Sequence, residues 1–202
     1  MAADLANKIV DCALELAEQG SWESVRLHDI AVALGIGLND IRRHFREKEE
    51  IAEAWFDRAD RTMLDAAKAP DFATLDTRKR LQRLIFAWLG ALSGHKRVAR
   101  EMIYHKLEPG HLHVQIPGLL RVSRTVQWLR EAGGRDATFV RRALEETGLT
   151  TIYILTFALW LHDDSPDARR SARFLERRLS EAERLLHWAD RLCPPKTAKP
   201  AV

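Results

Sequence analysis

The chain is poor in the features that mark secreted, metal-binding and membrane proteins. It has only two cysteines among 202 residues, Cys12 and Cys193, and their positions near opposite ends provide neither a disulfide framework nor a zinc-binding cluster. The first residues lack a cationic start followed by an apolar core, so no secretory signal is expected. The longest run without charge, residues 147–161, is shorter than the roughly 20 residues of a membrane-spanning helix. We therefore expect no integral membrane segment and a cytoplasmic location.

Patterns that would indicate catalysis are also missing. The sequence offers no nucleophile beside a base, no glycine-rich phosphate loop and no pair of acids in a predicted cleft, so we expect no enzymatic activity and no cofactor. His111 and His113 could bind a metal only with a third ligand. His105 and Glu108 are near enough along the chain, but the spacing matches no known site. A solvated loop is the favoured interpretation, and no metal is expected.

Charge is distributed unevenly, although the formal net charge is only +3. Residues 1–68 carry nine Lys and Arg against fourteen Asp and Glu, whereas residues 69–202 carry twenty-three against fifteen. An acidic amino-terminal region disfavours nucleic-acid binding, because neutralisation of phosphates supplies much of its affinity. Residues 40–48 are the exception, with four basic side chains against two acidic ones. A dimer could still place these cations at the groove of DNA while its acids face elsewhere.

Apolar residues recur every three or four positions, which predicts an all-α protein with about nine helices. The turn before the last helix, Asp163-Asp164-Ser165-Pro166, has capping acids and a proline placed to start a helix. Residues 193–202 contain three prolines and are predicted to be disordered. The predicted helices cover residues 3–19, 29–34, 38–45, 48–69, 76–92, 96–107, 118–132, 137–161 and 167–192.

Residues 27–51, LHDIAVALGIGLNDIRRHFREKEEI, have the pattern of a helix-turn-helix. The first short helix ends at Gly35, because glycine accepts the left-handed conformation that a helix end requires. The second helix of such a motif enters the major groove, where arginine reads guanine and asparagine reads adenine. Lys48 and His28 are placed to hold phosphates. The alternative is a solvated polar face on a small bundle. The candidate DNA contacts are His28, Gly37, Leu38, Asn39, Arg42, Arg43, His44 and Lys48.

The stretch DIAVALGIG…IRRHFREKEEI resembles the amino-terminal signature of the TetR family of bacterial repressors, and the match runs from about residue 8 to residue 64. The resemblance implies a homodimer that binds operator DNA through a helix-turn-helix head, residues 1–47, and senses a ligand in a helical body, residues 48–192. The positions that fit the signature are Ala31, Gly35, Ile36, Phe45, Lys48 and Ile51. Those that depart from it are Gly37, Leu38, Arg42 and Arg46, where the family commonly has Ser or Thr, a polar residue, Tyr and Pro.

Residues 116–179 are similar to another family, the lipid-binding accessory proteins of coenzyme Q biosynthesis. The most specific parts are the pattern Trp128…Ala132-Gly133 and the run Asp164-Ser165-Pro166-Asp167…Arg173-Phe174-Leu175-Glu176. This resemblance implies a TetR-like fold whose body binds isoprenoid lipids and which assists a hydroxylase. That family carries a further membrane-docking helix, which we do not expect here because the chain closes with CPPKTAKPAV.

Two further sets of residues are candidates for binding in the body. Large apolar side chains on converging helices can enclose a ligand cavity, or they can simply fill a core. The last two helices can form a four-helix dimer interface, or they can bury their apolar faces in their own body. The pocket candidates are Trp88, Met102, Ile103, Leu107, Leu120, Trp128, Tyr153 and Phe157. The dimer candidates are Leu155, Leu159, Phe174, Leu175, Leu179, Ala182 and Leu186.

The sequence therefore supports two functional hypotheses. The favoured one is a TetR-like transcriptional regulator that binds double-stranded operator DNA as a homodimer and is controlled by an apolar small molecule or isoprenoid lipid. The alternative is a lipid-binding accessory protein of coenzyme Q biosynthesis that keeps the fold without DNA binding. The acidic amino-terminal region favours the accessory protein, and the intact Gly35 turn with Lys48 favours the regulator.

Overall fold

A computed structural model describes residues 2–107, 112–134 and 139–192 of the chain. These residues form nine α-helices and three short 3-10 turns, with no strand among them. The all-α prediction is confirmed. The helices are α1 (Ala2–Gln19), α2 (Leu27–Leu34), α3 (Leu38–Arg42), α4 (Lys48–Ala66), α5 (Thr77–Leu92), α6 (Lys96–Leu107), α7 (Leu112–Ala132), α8 (Phe139–Leu161) and α9 (Arg169–Leu192).

Several helix boundaries differ from the prediction, by one to three residues in α1, α2, α4 and α5 and more informatively in α3, α7 and α9. α3 ends at Arg42 rather than at residue 45. α7 begins at Leu112, six residues before the predicted start, so Pro117 lies within the helix and does not precede it. α9 begins after a separate 3-10 turn, Pro166–Ala168, in which two non-glycine residues have φ near +50°. A proline marks a favourable first turn but does not ensure that the same helix continues.

Each helix packs against its neighbours through one stripe of buried residues. In α1 the fully buried residues are spaced three or four apart, as in Ile9, Ala13 and Ala17, so that they share a face. α4 packs against α1 and also against α5 and α7. It therefore connects the amino-terminal helices to the rest of the bundle. The boundary between a head ending at residue 47 and a body over residues 48–192 stays a prediction.

Two other predictions concern the carboxy-terminal tail and membrane-spanning segments. The tail from residue 193, predicted to be disordered, lies outside the described residues. Among the helices that the structure describes, none is both long and apolar enough to cross a membrane.

The turn between α8 and α9 is organised by Asp163, as the sequence predicts for its capping acids. The carboxylate is buried and accepts the backbone N–H groups of Ser165 and Ser171 at 3.0 and 2.8 Å. It also accepts both serine hydroxyls, at 2.5 and 2.7 Å. Burial alone would raise the pKa of Asp163, but these hydrogen bonds hold it well below the ordinary value of 3.8. The ionised carboxylate thus stabilises the start of α9.

We expect Asp163→Asn to destabilise the protein at pH 7 by about 1–3 kcal/mol, because a charged acceptor of several hydrogen bonds is lost. A carboxyl whose pKa is lower in the folded state stabilises the fold above its unfolded pKa and loses that contribution as the pH falls. The variant should therefore lose less stability than the parent below about pH 4. Urea denaturation at pH 7 and pH 3.5 measures both effects. The exposed neighbour provides a control, Asp164→Asn. Equal acid sensitivity of Asp163→Asn and the parent would contradict the assignment.

Candidate functional site

The turn between α2 and α3 is formed by a left-handed glycine. Gly35 has φ 64° and ψ 33°, and its N–H donates to the carbonyl of Val32 at 3.1 Å. The next N–H, of Ile36, reaches back to the carbonyl of Ala31 at 3.0 Å. These bonds satisfy the last carbonyls of α2 and reverse the chain direction. α3 is thereby set across α2 in a helix-turn-helix arrangement.

The start of α3 is fixed by a residue that the sequence analysis did not select. Gly37 is the N-cap, and its N–H donates to the carboxylate of Asp40 at 3.0 Å. The other oxygen of Asp40 accepts a hydrogen bond from the guanidinium of Arg43 at 3.1 Å. An acid three residues after an N-cap is a known capping pattern, and this signal could have identified Asp40. Its carboxylate orders both the helix start and one candidate DNA-reading side chain.

The outer face of this segment presents four predicted DNA contacts together. Ile41 and Phe45 are buried and hold the segment onto the core. Leu38 is more than half exposed, although it is apolar. Because α3 turns once in 3.6 residues, positions 38, 39, 42 and 43 share one face, and all four are exposed: Leu38, Asn39, Arg42 and Arg43. His44 is half-buried beside the ring of Phe45.

The two predicted phosphate contacts differ in their surroundings. His28 is exposed on α2. Lys48, by contrast, donates from its ammonium to the carbonyls of Trp22 and Glu23, each at 3.1 Å, and lies 5.4 Å from the centre of the Trp22 ring. An ammonium has three donors, so these bonds leave at most one for a phosphate. Lys48 therefore also joins α4 to the loop after α1, which the sequence analysis missed.

The body contains a buried charge cluster that the sequence analysis also missed. Arg121 of α7 is 7% exposed and donates to Asp60 of α4 at 2.9 Å. Asp60 also accepts the indole N–H of Trp88 at 2.8 Å and the hydroxyl of Thr125 at 3.0 Å. Burial raises the pKa of Asp60, while the Arg121 charge and the two other donors oppose that rise. The sequence did contain a signal for this cluster, because Asp60 is an acidic residue next to the apolar stripe of α4.

Three of the predicted pocket residues lie together in the body. The ring of Trp88 is 5.3 Å from that of Tyr153 and 5.1 Å from that of Phe157, both in edge-to-face contact. Tyr153 is buried, and burial raises the pKa of its hydroxyl well above 10.0, with a further rise from the nearby charge of Asp60. Met102 is buried and Ile103 half-buried on α6.

The other pocket candidates are placed differently. Leu120 is 61% exposed and Trp128 is 50% exposed. The helical period explains this, because α7 turns Arg121 and Leu129 inward and so directs the faces of residues 120 and 128 outward. We therefore remove Leu120 and Trp128 from the predicted pocket. Leu107 ends α6, but its side chain lies outside the described part.

The dimer candidates fall into two groups. Leu175 and Leu179 are buried in the single chain, so they belong to its own core and cannot also form a surface. Leu155 is 47% exposed on α8, next to exposed Ile154. Two exposed apolar residues of α9, Leu185 and Trp188, are not among the dimer candidates. The remaining candidates are half-buried: Leu159, Phe174, Ala182 and Leu186.

The histidine pair falls largely outside the described part. His111 lies outside the described residues, and His113 belongs to the first turn of α7 with its side chain outside them. Within the described residues, no group of three or more His, Cys, Asp or Glu is arranged to hold a metal ion.

Comparison with solved structures gives matches along most of the chain. The TetR transcriptional regulator from Nitrosomonas europaea ATCC 19718 is 48% identical, with a TM-score of 0.80 over 89% of this chain and 98% of that chain. A TetR transcriptional regulator from Rhodococcus sp. RHA1 is 17% identical, with a TM-score of 0.64 over 86% and 92%. A tetR-family regulator from Streptomyces coelicolor is also 17% identical, with a TM-score of 0.59 over 94% and 97%. The latter two show a shared fold.

Comparison with family models gives a second similarity. The COQ9 model matches residues 139–186, which comprise α8 and most of α9. No curated protein matches the chain significantly.

Proposed function

Since the chain belongs to the TetR family of transcriptional regulators, we propose that it is a non-catalytic, dimeric DNA-binding regulator. Two α3 helices of a dimer would enter successive major grooves about 34 Å apart. An apolar ligand in the body would favour a separation that does not fit the operator. Such a switch requires a coupling free energy of about 1–3 kcal/mol between the two sites.

The observation that carries this proposal is the outer face of α3. It presents Leu38, Asn39, Arg42 and Arg43 to solvent, on a helix that is held from behind by Ile41 and Phe45. Two guanidinium groups and an amide are the side-chain types that read base edges in the major groove. The exposed apolar Leu38 fits a thymine methyl group. The acids that make this region negative belong mostly to α1 and α4.

Binding to DNA upstream of the protein's own gene tests the proposal. The full chain is titrated against a labelled fragment of that DNA, with unrelated competitor DNA present, over a salt series. A regulator should bind saturably near physiological salt, and the slope of log affinity against log salt should count its phosphate contacts. Fragments tiling the rest of the genome, selected by the protein in a pull-down, extend the test to a distant operator. If salt abolishes binding in both experiments and the protein prefers no sequence, the proposal of a DNA-binding regulator is excluded.

We propose that the dimer forms through α8 and α9. The exposed residues of α8 lie three or four positions apart on one face, Thr151, Ile154, Leu155 and Ala158. A stripe of this spacing suits packing against a second helix. The exposed Leu185 and Trp188 would extend the apolar surface onto α9.

Leu155→Glu is expected to convert the dimer to a monomer at micromolar concentration, because a buried, unpaired carboxylate is strongly unfavourable in an interface. Light scattering after size-exclusion chromatography measures the mass. The control is Val32→Glu, which places the same charge at an exposed apolar residue of α2. A dimeric Leu155→Glu protein would place the interface elsewhere.

A lipid-binding accessory role remains the second candidate function, and the COQ9 match over α8 and α9 favours it. It predicts that the purified protein carries an isoprenoid or other apolar lipid and binds no operator. Organic extraction followed by mass spectrometry tests for the lipid. Bound lipid without specific DNA binding would support this role, whereas bound lipid that weakens DNA binding would support the ligand-controlled regulator.

A further inference from the structure

The last helix begins with three arginines that have no acidic partner. Arg169, Arg170 and Arg173 are all exposed, and none of their guanidinium groups forms an ion pair or a hydrogen bond within the part of the chain that the structure describes. Arg177, one turn after Arg173, pairs by contrast with Glu181 at 3.8 Å. Cations at the start of a helix are also unfavourable, because they face the positive end of its dipole. An anion from outside the single chain would satisfy all three side chains.

The acids of the preceding turn do not neutralise these arginines. Asp163 is buried, and its carboxylate is occupied by two serines. Asp164 and Asp167 are exposed and make no ion pair among the described residues. Lys96 and Arg100 of α6 reach the same turn, where they donate to main-chain carbonyls at and just after the end of α8 rather than to acids. Their positive charges therefore add to those of the three arginines.

This turn lies at the end of the body that carries the helix-turn-helix. The ammonium of Lys96, the first residue of α6, is 5.1 Å from the centre of the Trp160 ring near the end of α8. The preceding residue, His95, lies with its Nδ1 3.3 Å from the carboxylate of Glu18 near the end of α1. Residues 20–26 then lead directly into α2. The start of α9 and the recognition helix α3 are therefore at the same end of the molecule.

In the proposed dimer, the two copies of this turn would come together over the centre of the operator. The turn joins α8 to α9, the two helices that we propose to form the interface, so it would lie close to the two-fold axis. The recognition helices would stand on either side of it, about 34 Å apart. The DNA backbone between them would run past the arginines of both subunits.

We propose that Arg169, Arg170 and Arg173 bind DNA phosphates between the two half-sites of the operator. This contact rests on the proposed DNA-binding function, and it adds to α3 an interaction that does not depend on base sequence. A guanidinium suits a phosphate because it can donate two parallel hydrogen bonds to it. The contact also supplies positive charge that residues 1–68 lack, since they carry more acids than bases and DNA affinity depends on the neutralisation of phosphates.

The dependence of DNA affinity on salt tests this contact in the full chain. Arg169→Ala with Arg173→Ala removes two charges from each subunit, and each lost phosphate contact lowers the slope of log affinity against log salt by about 0.9. We expect the slope to fall by at least about 2. The affinities for operator and for unrelated DNA should both fall by a factor of at least about ten, because phosphate contacts carry no sequence information.

Two arginines further along the same helix face provide the matched control. Positions 169, 173, 177 and 184 are four or seven residues apart, so they share a face. At the rise of an α-helix, Arg177 and Arg184 lie about 12 and about 22 Å beyond Arg169, and both are exposed. Arg177→Ala with Arg184→Ala removes the same charge but should lower the slope by less than about 0.5, because charges beyond the Debye length of about 8 Å are screened.

Two further measurements locate the contact. Neutral methylphosphonate linkages at the centre of the operator should weaken binding of the parent at least about fivefold, but binding of Arg169→Ala with Arg173→Ala less than about twofold. Asp167→Asn should strengthen binding to any DNA, because it removes a negative charge beside the phosphates. Asparagine tolerates the φ of 52° at this position.

Equal slopes in the two double variants, or equal weakening of parent and variant by the neutral linkages, would overturn the inference. If Arg169→Ala with Arg173→Ala lost binding to phosphatidylglycerol vesicles while its slope on DNA stayed that of the parent, the arginines would contact a membrane and not the operator. A parent protein that binds no operator would refute the proposed function together with this contact. Specific binding with an unchanged slope in the variant would refute the contact alone.

Discussion

Replacing Arg121 with methionine is expected to lower the free energy of unfolding at pH 7 by about 3–5 kcal/mol, the usual range when one partner of a buried ion pair is removed. Methionine fills a similar volume, so the loss is electrostatic and not a cavity effect. Asp60 would keep the donors of Trp88 and Thr125 but would lose its hydrogen bond to the cationic side chain of Arg121. For a chain of this size, the melting temperature should fall by roughly 6–20 °C.

The pH dependence identifies the origin of this loss. The pKa of Asp60 is already above 3.8 in the folded protein, mainly through burial, and the positive charge of Arg121 restrains it. Without that charge the folded-state pKa rises further. An acid whose pKa is higher when folded destabilises the protein as the pH increases from the unfolded to the folded pKa. The deficit of Arg121→Met should therefore be larger at pH 7 than at pH 5.

Two comparisons isolate the buried pair. Arg83→Met removes a partly exposed arginine that pairs with exposed Asp71, and solvent screening should make its loss of stability much smaller than that of Arg121→Met. The double variant Arg121→Met with Asp60→Asn should be more stable than Arg121→Met alone, because the buried carboxylate of Asp60 no longer remains without its cation. Urea denaturation of the four proteins measures these differences. A loss at Arg121 no greater than the loss at Arg83 would refute the argument.

The second large effect concerns DNA recognition. A good base contact by arginine contributes about 1–3 kcal/mol of discrimination. Loss of two such contacts in Arg42→Ala with Arg43→Ala should weaken operator binding by roughly 30-fold to 20,000-fold, since each 1.4 kcal/mol is a factor of about ten. Binding to unrelated DNA should weaken much less, because phosphate contacts supply it. Fluorescence anisotropy with operator and unrelated DNA measures both affinities.

A body variant controls for the loss of positive charge. Lys79→Ala with Arg83→Ala removes two cations from α5, where both are paired with acids. Long-range effects of such exposed charges are screened within a Debye length of about 8 Å at physiological salt, so operator binding should be nearly unchanged. Equal losses in the two double variants would mean that α3 does not read the bases.

Structural features were predictable from the sequence where the residues that define them lie within one short segment of the chain. The stripe of α1, the left-handed Gly35 and the buried pair Ile41 and Phe45 depend on spacing within a few residues. The Asp60 cluster could not be derived in this way, because Arg121 lies 61 residues further along the chain. Periodicity also shows which face of a helix is apolar, but not what covers it.

The difference between knowing that a helix face is apolar and knowing what covers it explains the outcome for the predicted dimer and pocket residues. Leu175 and Leu179 fit an apolar stripe equally well whether they face the chain's own body or a partner, and the structure places them in the body. Leu120 and Trp128 are apolar residues of α7 that face solvent in the single chain. Neither assignment could be made before the relative rotation of α7, α8 and α9 was known.

The carboxylate of Asp40 has a consequence for the redesign of operator preference. Its two oxygens connect the N–H of Gly37 to the side chain of Arg43. Exchange of positions 42 and 43 alone with those of a relative would therefore remove the guanidinium that Asp40 binds, while Asp40 still caps the start of α3 at Gly37. Transfer of a foreign specificity requires residues 37–43 to be moved as one cassette.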